Sequence, residues 1–180
     1  MKVPSRLTKH QVDTIIEETS KGMEEWIHQS TLPSYTEQWF KHARDEAIKS
    51  DFRTAKVGCV VVYKNHIIGR GHNQYKTDPL QKEYNQKYKE WSSPEEYSQN
   101  SGHTLHAEID ALKNIPYPVA KQVIWKKVQV YIYRAAPGLE TYSGLALPCS
   151  ACAHAMQDLG INGAYYTTGN VNGPFGYCEL

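Results

Sequence analysis

Several protein classes are closed to this chain by what it lacks. Four cysteines in 180 residues, Cys59, Cys149, Cys152 and Cys178, are too few and too unevenly spaced for a disulfide framework. In a reducing compartment the close pair among them points to metal or redox chemistry instead. No apolar run approaches the ~18 residues that read as a membrane span. The opening MKVPSRLTKHQ has no apolar core of the signal-peptide kind. A cytoplasmic setting without a membrane partner is therefore expected. Neither sign of charge is in excess, since 20 basic against 19 acidic residues leave a net +1. That balance argues against wrapping a long polyanion, although a local basic groove can hide inside it. There is no internal repeat, no low-complexity tract and no second C-x-x-C pair.

What is present is ordinary globular material, 40% apolar and 22% charged, in a length that suits one domain. Two helices are expected at the start, each opened by a hydroxyl three residues before Gln or Glu: Thr8 with Gln11, and Ser34 with Glu37. The first carries Val12, Ile15, Ile16, Met23, Trp26 and Ile27, the second Trp39, Phe40, Ala43 and Ala47, at the spacing of a buried stripe. The period then changes. VGCVVVYKNHIIGRGHN reads as a hairpin turning at Lys64-Asn65, with Cys59 inside its first strand as a small buried hydrophobe. Residues 74–102 form a long polar, tyrosine-rich insert, in which Leu80, Tyr84, Tyr88 and Trp91 fall close to one helical face. A helix from His106, a strand over Val128–Arg134, a Gly/Pro-containing loop, a helix from Pro148 to Gly160 and a strand GAYYTT follow, before a Gly/Pro-rich tail. Strands alternating with helices in the second half predict a mixed sheet covered on both faces.

The chemistry concentrates in two short stretches. In LPCSACAHAM, Cys149 and Cys152 are three apart and point the same way from a helix. Pro148 marks the start of that helix, which places both thiols in its first turn, where the dipole favours thiolate. A lone pair of this kind suits a redox couple or half of a zinc site. With Cys178 far along the chain, His106 of TLHAEIDALKN is the natural third ligand. Two thiolates and a neutral imidazole balance the charge of Zn²⁺ and leave its fourth tetrahedral position open, the arrangement of a catalytic site. Glu108, two residues from His106, does not share its helical face, so it reads as a non-ligand acid able to reach a water on the metal. On its own, His106-x-Glu108 also fits polar residues at the positive end of a helix dipole.

Taken together, His106-Ala107-Glu108 and Pro148-Cys149-Ser150-Ala151-Cys152 resemble the H-x-E and P-C-x-x-C signature of the zinc-dependent cytidine and deoxycytidylate deaminases. The resemblance covers roughly residues 36–168. It implies a three-layer α/β/α sandwich with a mixed central sheet, bound Zn²⁺, and hydrolysis at C4 of a cytosine to give a uracil. It implies Glu108 as the catalytic proton shuttle and His106, Cys149 and Cys152 as metal ligands. Asn73, in GRGHN, matches the position at which family members place an asparagine on the sugar, and Ala107 lies within the motif as a substrate contact. Asn73 fits a plain turn position after Gly71 equally well. The chain is then one deaminase domain over 1–180, with a helical extension at 1–33, a catalytic core at 34–170 and the insert at 74–102.

Which cytosine is bound depends on loops outside the motifs. VGCVVVYKNHIIGRGHN with HAEIDAL resembles both deoxycytidylate deaminases and tRNA adenosine deaminases, and CAHAM leans to the latter. The interposed RAAPGLETYSGLAL, the near-neutral charge and the last strand favour a small pyrimidine nucleotide, dCMP first. Lys76, Lys82 and Arg134 are candidate phosphate contacts, with solvated surface charge as the plain alternative. A polynucleotide deaminase stacking bases on insert tyrosines remains the alternative substrate reading. A zinc-stabilised module without turnover is the alternative outside enzymes. His103 is a candidate ligand for a second zinc, and a homo-oligomer is expected from the family.

Overall fold

The structure, a computed structural model, describes residues 36–88, 104–136, 139–170 and 174–180. The expected first helix, Ser34 of the second capping box, Trp91 and His103 lie outside the described residues. Helix α1 (Thr36–Ile48) leads into a hairpin of β1 (Lys56–Tyr63) and β2 (His66–His72). The loop residues Lys64 and Asn65 have φ of 47° and 62°. Positive φ at both central positions is the type I′ geometry that matches strand twist, so the turn falls where the sequence puts it.

Next come β3 (Gln74–Thr77), α2 (Pro79–Tyr88), β4 (Thr104–Leu105), α3 (Ala107–Lys113), the short α4 (Tyr117–Ala120) and a 3₁₀ turn (Trp125–Lys127). The chain closes with β5 (Gln129–Ala136), β6 (Leu139–Gly144), α5 (Ser150–Asp158), β7 (Gly163–Thr167) and β8 (Phe175–Glu179). The main sheet has the order β2-β1-β5-β7-β8. Its β1–β5 pairing is antiparallel and its β5–β7 pairing parallel, so the sheet is mixed as expected.

Alternation along the strands sorts the core into two layers. Cys59 and Val61 of β1, Val130 and Ile132 of β5 and Ala164 and Tyr166 of β7 pack with Ala107 and Ala111 of α3 and Met156 of α5. The intervening Val60, Val62, Tyr131 and Tyr133 pack with Trp39, Phe40, Ala43 and Ala47 of α1. One helix on one face and two on the other make the three-layer α/β/α sandwich. Glycines let the layers close. A Cβ on Gly58 would lie 2.1 Å from the Ala43 carbonyl oxygen of α1, and one on Gly71 would lie 2.2 Å from the Ala111 nitrogen of α3.

Four expectations change. RAAPGLETYSGLAL is not simply a loop: β6 within it pairs with Arg134–Ala136, beyond the Val130–Ile132 segment of β5 that β7 occupies. Its sequence lacks the apolar alternation that marks a strand buried on one face. The Gly/Pro-rich tail contains β8, antiparallel to β7. The insert contributes β3, paired with β4, in addition to the helix its spacing suggests, α2. On α2 the fully buried residues are Gln81 and Asn85, whereas Leu80 is 37% exposed. Tyr84 and Tyr88 do turn toward the body, against α5.

Candidate metal centre and active site

Two helix starts meet at one place. His106 is the N-cap of α3 and Cys149 the N-cap of α5, both with extended backbone and neither capping its own helix with its side chain. Cys149 therefore stands one position before the first turn in which the sequence reading placed it, and Pro148 precedes the cap. Cys152 occupies the first turn of α5 and is fully buried. The freed side chains converge: His106 Nδ1 lies 3.4 Å from Cys149 Sγ and 3.4 Å from Cys152 Sγ. Their ligand atoms all lie within 4.8 Å of one another, the one such group among the described residues. Leu105, Ile109 and Ala155 pack with Cys152 in a small apolar cluster, with Tyr84 and Cys149 partly buried against it.

The thiols divide their charge unequally. The Cys152 hydrogen bond lowers the Cys149 thiol to about 4 against the opposing effect of burial, and His106 adds to the lowering. Cys152 is pushed far up by donating that bond, by burial and by Glu108. One imidazole and two sulfurs are the donor chemistry of a catalytic zinc site with three protein ligands. The residues present fit that ion.

Glu108 lies in the first turn of α3, 6% exposed, outside the donor group. Burial raises its carboxyl, partly offset by His106 and by a hydrogen bond with Cys152, while the charge on Cys149 reinforces the rise. A carboxyl moved upward holds a proton more readily than an exposed one.

Other residues hold this centre in place, and the sequence did not single them out. Gln81 of α2 accepts the His106 backbone N–H at 3.0 Å through Oε1, and its Nε2 donates to Asn85 Oδ1 at 2.9 Å. Asp110 of α3 accepts from the His72 N–H and from Gln74 Nε2, each at 3.1 Å, which ties the helix to the end of β2. Asp78 accepts from the N–H groups of Leu80 and Gln81 at the start of α2 and pairs with Lys113 Nζ at the end of α3. Burial alone would raise the Asp78 carboxyl, but Lys113 and those N–H groups hold it below 3.8. Polar residues in a polar insert carry no periodic signal, and their partners lie far along the chain.

The proposed substrate contacts are dispersed. Asn73 is 8% exposed, and its side chain links the end of β2 to residues 50–57. Its Oδ1 accepts from Ser50 Oγ at 2.7 Å and from the Val57 N–H at 2.8 Å, while Nδ2 donates to the Ala55 carbonyl at 2.7 Å. Ala107 is fully buried at the start of α3, close to Gly71. Lys76 of β3 and Lys82 of α2 are exposed. Arg134, also exposed, donates through Nη1 to the Leu145 carbonyl at 3.5 Å. Cys59 is the buried hydrophobe expected, its thiol raised first by burial. His154 stacks on Tyr88 at 3.8 Å rather than joining the donors, and Cys178 packs at the edge of the larger core.

Comparison with known proteins follows the same line. The family model described as the cytidine and deoxycytidylate deaminase zinc-binding region matches residues 33–168. No curated protein sequence matches the chain. Among solved structures, dCMP deaminase from cyanophage S-TIM5 in its apo form is 19% identical, covering 76% of this chain and 85% of its own, with a TM-score of 0.46. The same enzyme in complex with dCMP and dUMP is 21% identical, with 76% and 83% covered and a TM-score of 0.46. Cytidine deaminase from Burkholderia pseudomallei is 17% identical, with 82% and 93% covered and a TM-score of 0.49. The match across most of the chain, on the stretch that contains both helix starts, places this protein in the zinc-dependent cytidine and deoxycytidylate deaminase family, a hydrolase of C–N bonds.

Proposed function

We propose that the chain hydrolyses the exocyclic amine of a cytosine nucleotide, with dCMP as the preferred substrate and dUMP and ammonia as products. The observation that carries this reading is Glu108, buried beside the His106, Cys149 and Cys152 donors but not among them. A structural metal site has no use for an acid at that place. Zinc held by the three donors supplies a water acidified enough to act as a nucleophile near neutral pH. Glu108 takes the proton of the attacking water and delivers it to N3 of the cytosine. It then takes the second proton to the C4 amine nitrogen, so that a C–O bond replaces the C–N bond and ammonia departs. Asn73, through its remaining Nδ2 proton, and Ala107, through its backbone, are proposed substrate contacts, and exposed Lys76, Lys82 and Arg134 are proposed phosphate contacts. The net charge of +1 supports a mononucleotide over a polymer.

One observation favours a second substrate class. Tyr75, 59% exposed, stacks on Phe52 at 3.9 Å, an aromatic surface on which a flanking base of a single strand can stack. Zinc-loaded protein should therefore be offered dCMP, dCTP, deoxycytidine, cytosine-containing single-stranded DNA and an adenosine-containing tRNA loop, with ammonia release measured and Glu108→Ala as the blank. Conversion of dCMP alone is expected. Conversion of the polynucleotides alone overturns the mononucleotide reading, and no Glu108-dependent conversion of any substrate supports a non-catalytic module. Self-association and a cytoplasmic setting belong to the same proposal. Exposed Ile48, Tyr117, Ile124, Leu145 and Leu147 support the first, and four free cysteines support the second. No described helix is long and apolar enough to cross a membrane.

A further inference from the structure

Helix α2 is built the wrong way round for a helix that merely packs. It buries two amides completely, Gln81 and Asn85, and leaves Leu80 37% exposed. Burying unpaired amides is costly, so the inversion is tolerated only where their hydrogen bonds are made. Those bonds end at the metal centre. Gln81 Oε1 accepts the backbone N–H of His106 at 3.0 Å, and Gln81 Nε2 donates to Asn85 Oδ1 at 2.9 Å. The second bond sets the first. With Nε2 committed to the Asn85 oxygen, Oε1 faces His106, whereas the flipped amide would set two donors against each other.

His106 needs this outside acceptor. In a capping box the third helical residue reaches back to the N–H of the N-cap. Here the N-cap is His106, and the residue at that position is Ile109, which has no acceptor. The side chain of His106 does not cap the helix, and its Nδ1 faces the two sulfurs. The N–H and the ring of the same residue are therefore held by different helices.

We propose that Gln81, oriented by Asn85, is a positioning residue for the metal ligand His106. On this proposal α2 is part of the metal centre rather than only a packing helix. It rests on the reading of His106, Cys149 and Cys152 as zinc ligands. Gln81 touches neither the donors' sulfurs nor the reacting atoms in this role. It fixes the backbone from which the imidazole projects, and outer partners of this kind typically change metal affinity ~10–100-fold.

The test compares Gln81→Met, which keeps length and removes the acceptor, with Gln81→Glu, whose carboxyl oxygen can still accept from the His106 N–H. Zinc release to a chromophoric chelator, melting temperature, and kcat and KM for the best substrate are measured on full-length protein. Gln81→Met is expected to release zinc roughly tenfold faster or more, with kcat reduced and KM little changed, and Gln81→Glu to recover most of the retention. A Gln81→Met protein that melts lower but keeps parental zinc release and kcat reduces Gln81 to a packing residue and overturns the proposal alone. A parent that binds no zinc overturns the ligand reading and this proposal with it. If Gln81→Met does not fold, hydrogen exchange on the parent decides: slow exchange of the His106 amide supports the bond to Gln81, and exchange at the rate of an open loop overturns it.

Discussion

At the scale of single residues, the chemistry divides between side chains that act and side chains that hold them. Glu108 is the side chain proposed for the first kind: burial raises its carboxyl, and it lies outside the donor group. Glu108→Gln should keep zinc, measured as metal per protein chain, and lose roughly 10²–10⁴-fold in kcat, the range for a general acid–base group. Asp78 belongs to the second kind. Its folded carboxyl titrates below the ordinary 3.8, so it contributes stability that is fully present above that value and is lost as pH falls through the lower folded one. Asp78→Asn should therefore lower the melting temperature at pH 7, and the gap to the parent should close in acid. A constant gap at all pH values would separate Asp78 from this linkage. His106, Cys149 and Cys152 were legible in sequence because their types and spacings suit a metal ion, and Glu108 because it stands two residues from His106 in the same short motif. Gln81 was not legible, since nothing in its neighbourhood announces a partner 25 residues away.

Among elements, the decisive contacts are those of α3, which carries His106 at its start, with β2 below it and α2 beside it. A methyl group on Gly71 would meet the Ala111 nitrogen at 2.2 Å and the Ala107 carbonyl oxygen at 2.6 Å, both of them backbone that cannot swing aside. Gly71→Ala should destabilise the fold by about 1–3 kcal/mol or more, and should loosen zinc as well because α3 is displaced. Gly58→Ala forces α1 from the opposite face, with the Ala43 oxygen at 2.1 Å, and should lower the melting temperature while sparing zinc retention in the folded fraction. Equal zinc loss in both variants would refute the assignment of separate duties to the two faces.

The seam between α2 and α5 has a titration of its own. Tyr84 donates to Asp158 Oδ2 at 2.7 Å, and burial first, then that carboxylate, raise its hydroxyl to about 12. A raised tyrosine contributes stability below its ordinary value of 10.0 and loses it as pH climbs toward about 12. Tyr84→Phe should remove that part of the alkaline loss in a pH series of thermal melts. Two of the strands missed in sequence, β6 and β8, share one cause. Neither has the alternation of a strand buried on one face, and both are defined by the neighbour whose backbone they pair with.

For the whole molecule, a metal held by α3 and α5 joins the start of one helix to the start of another across the same face of the sheet. An ion bound only by the folded state stabilises it by about 4 kcal/mol when present at about 1,000 times its dissociation constant. For a chain of this length that is worth roughly 8–16 °C in melting temperature. Removing zinc with a chelator should lower the melting temperature by that order, and zinc, but not magnesium, should restore it. An unchanged melt would mean that the donors bind the ion too weakly to join the helices.

The sequence by itself determined the α/β character, the hairpin and its turn, the helices that begin near His106 and Cys149, and which residues are the candidate metal donors, with Glu108 beside them. Each is written in short-range terms: a period, a positive-φ pair, a spacing that one helix turn converts into a common direction. Only the tertiary structure decided which helix supports His106, that Asn73 spends most of its amide on residues 50–57, and that α2 turns its amides inward. Those outcomes depend on which backbone groups are left without partners once the layers have closed, and a linear chain does not display that.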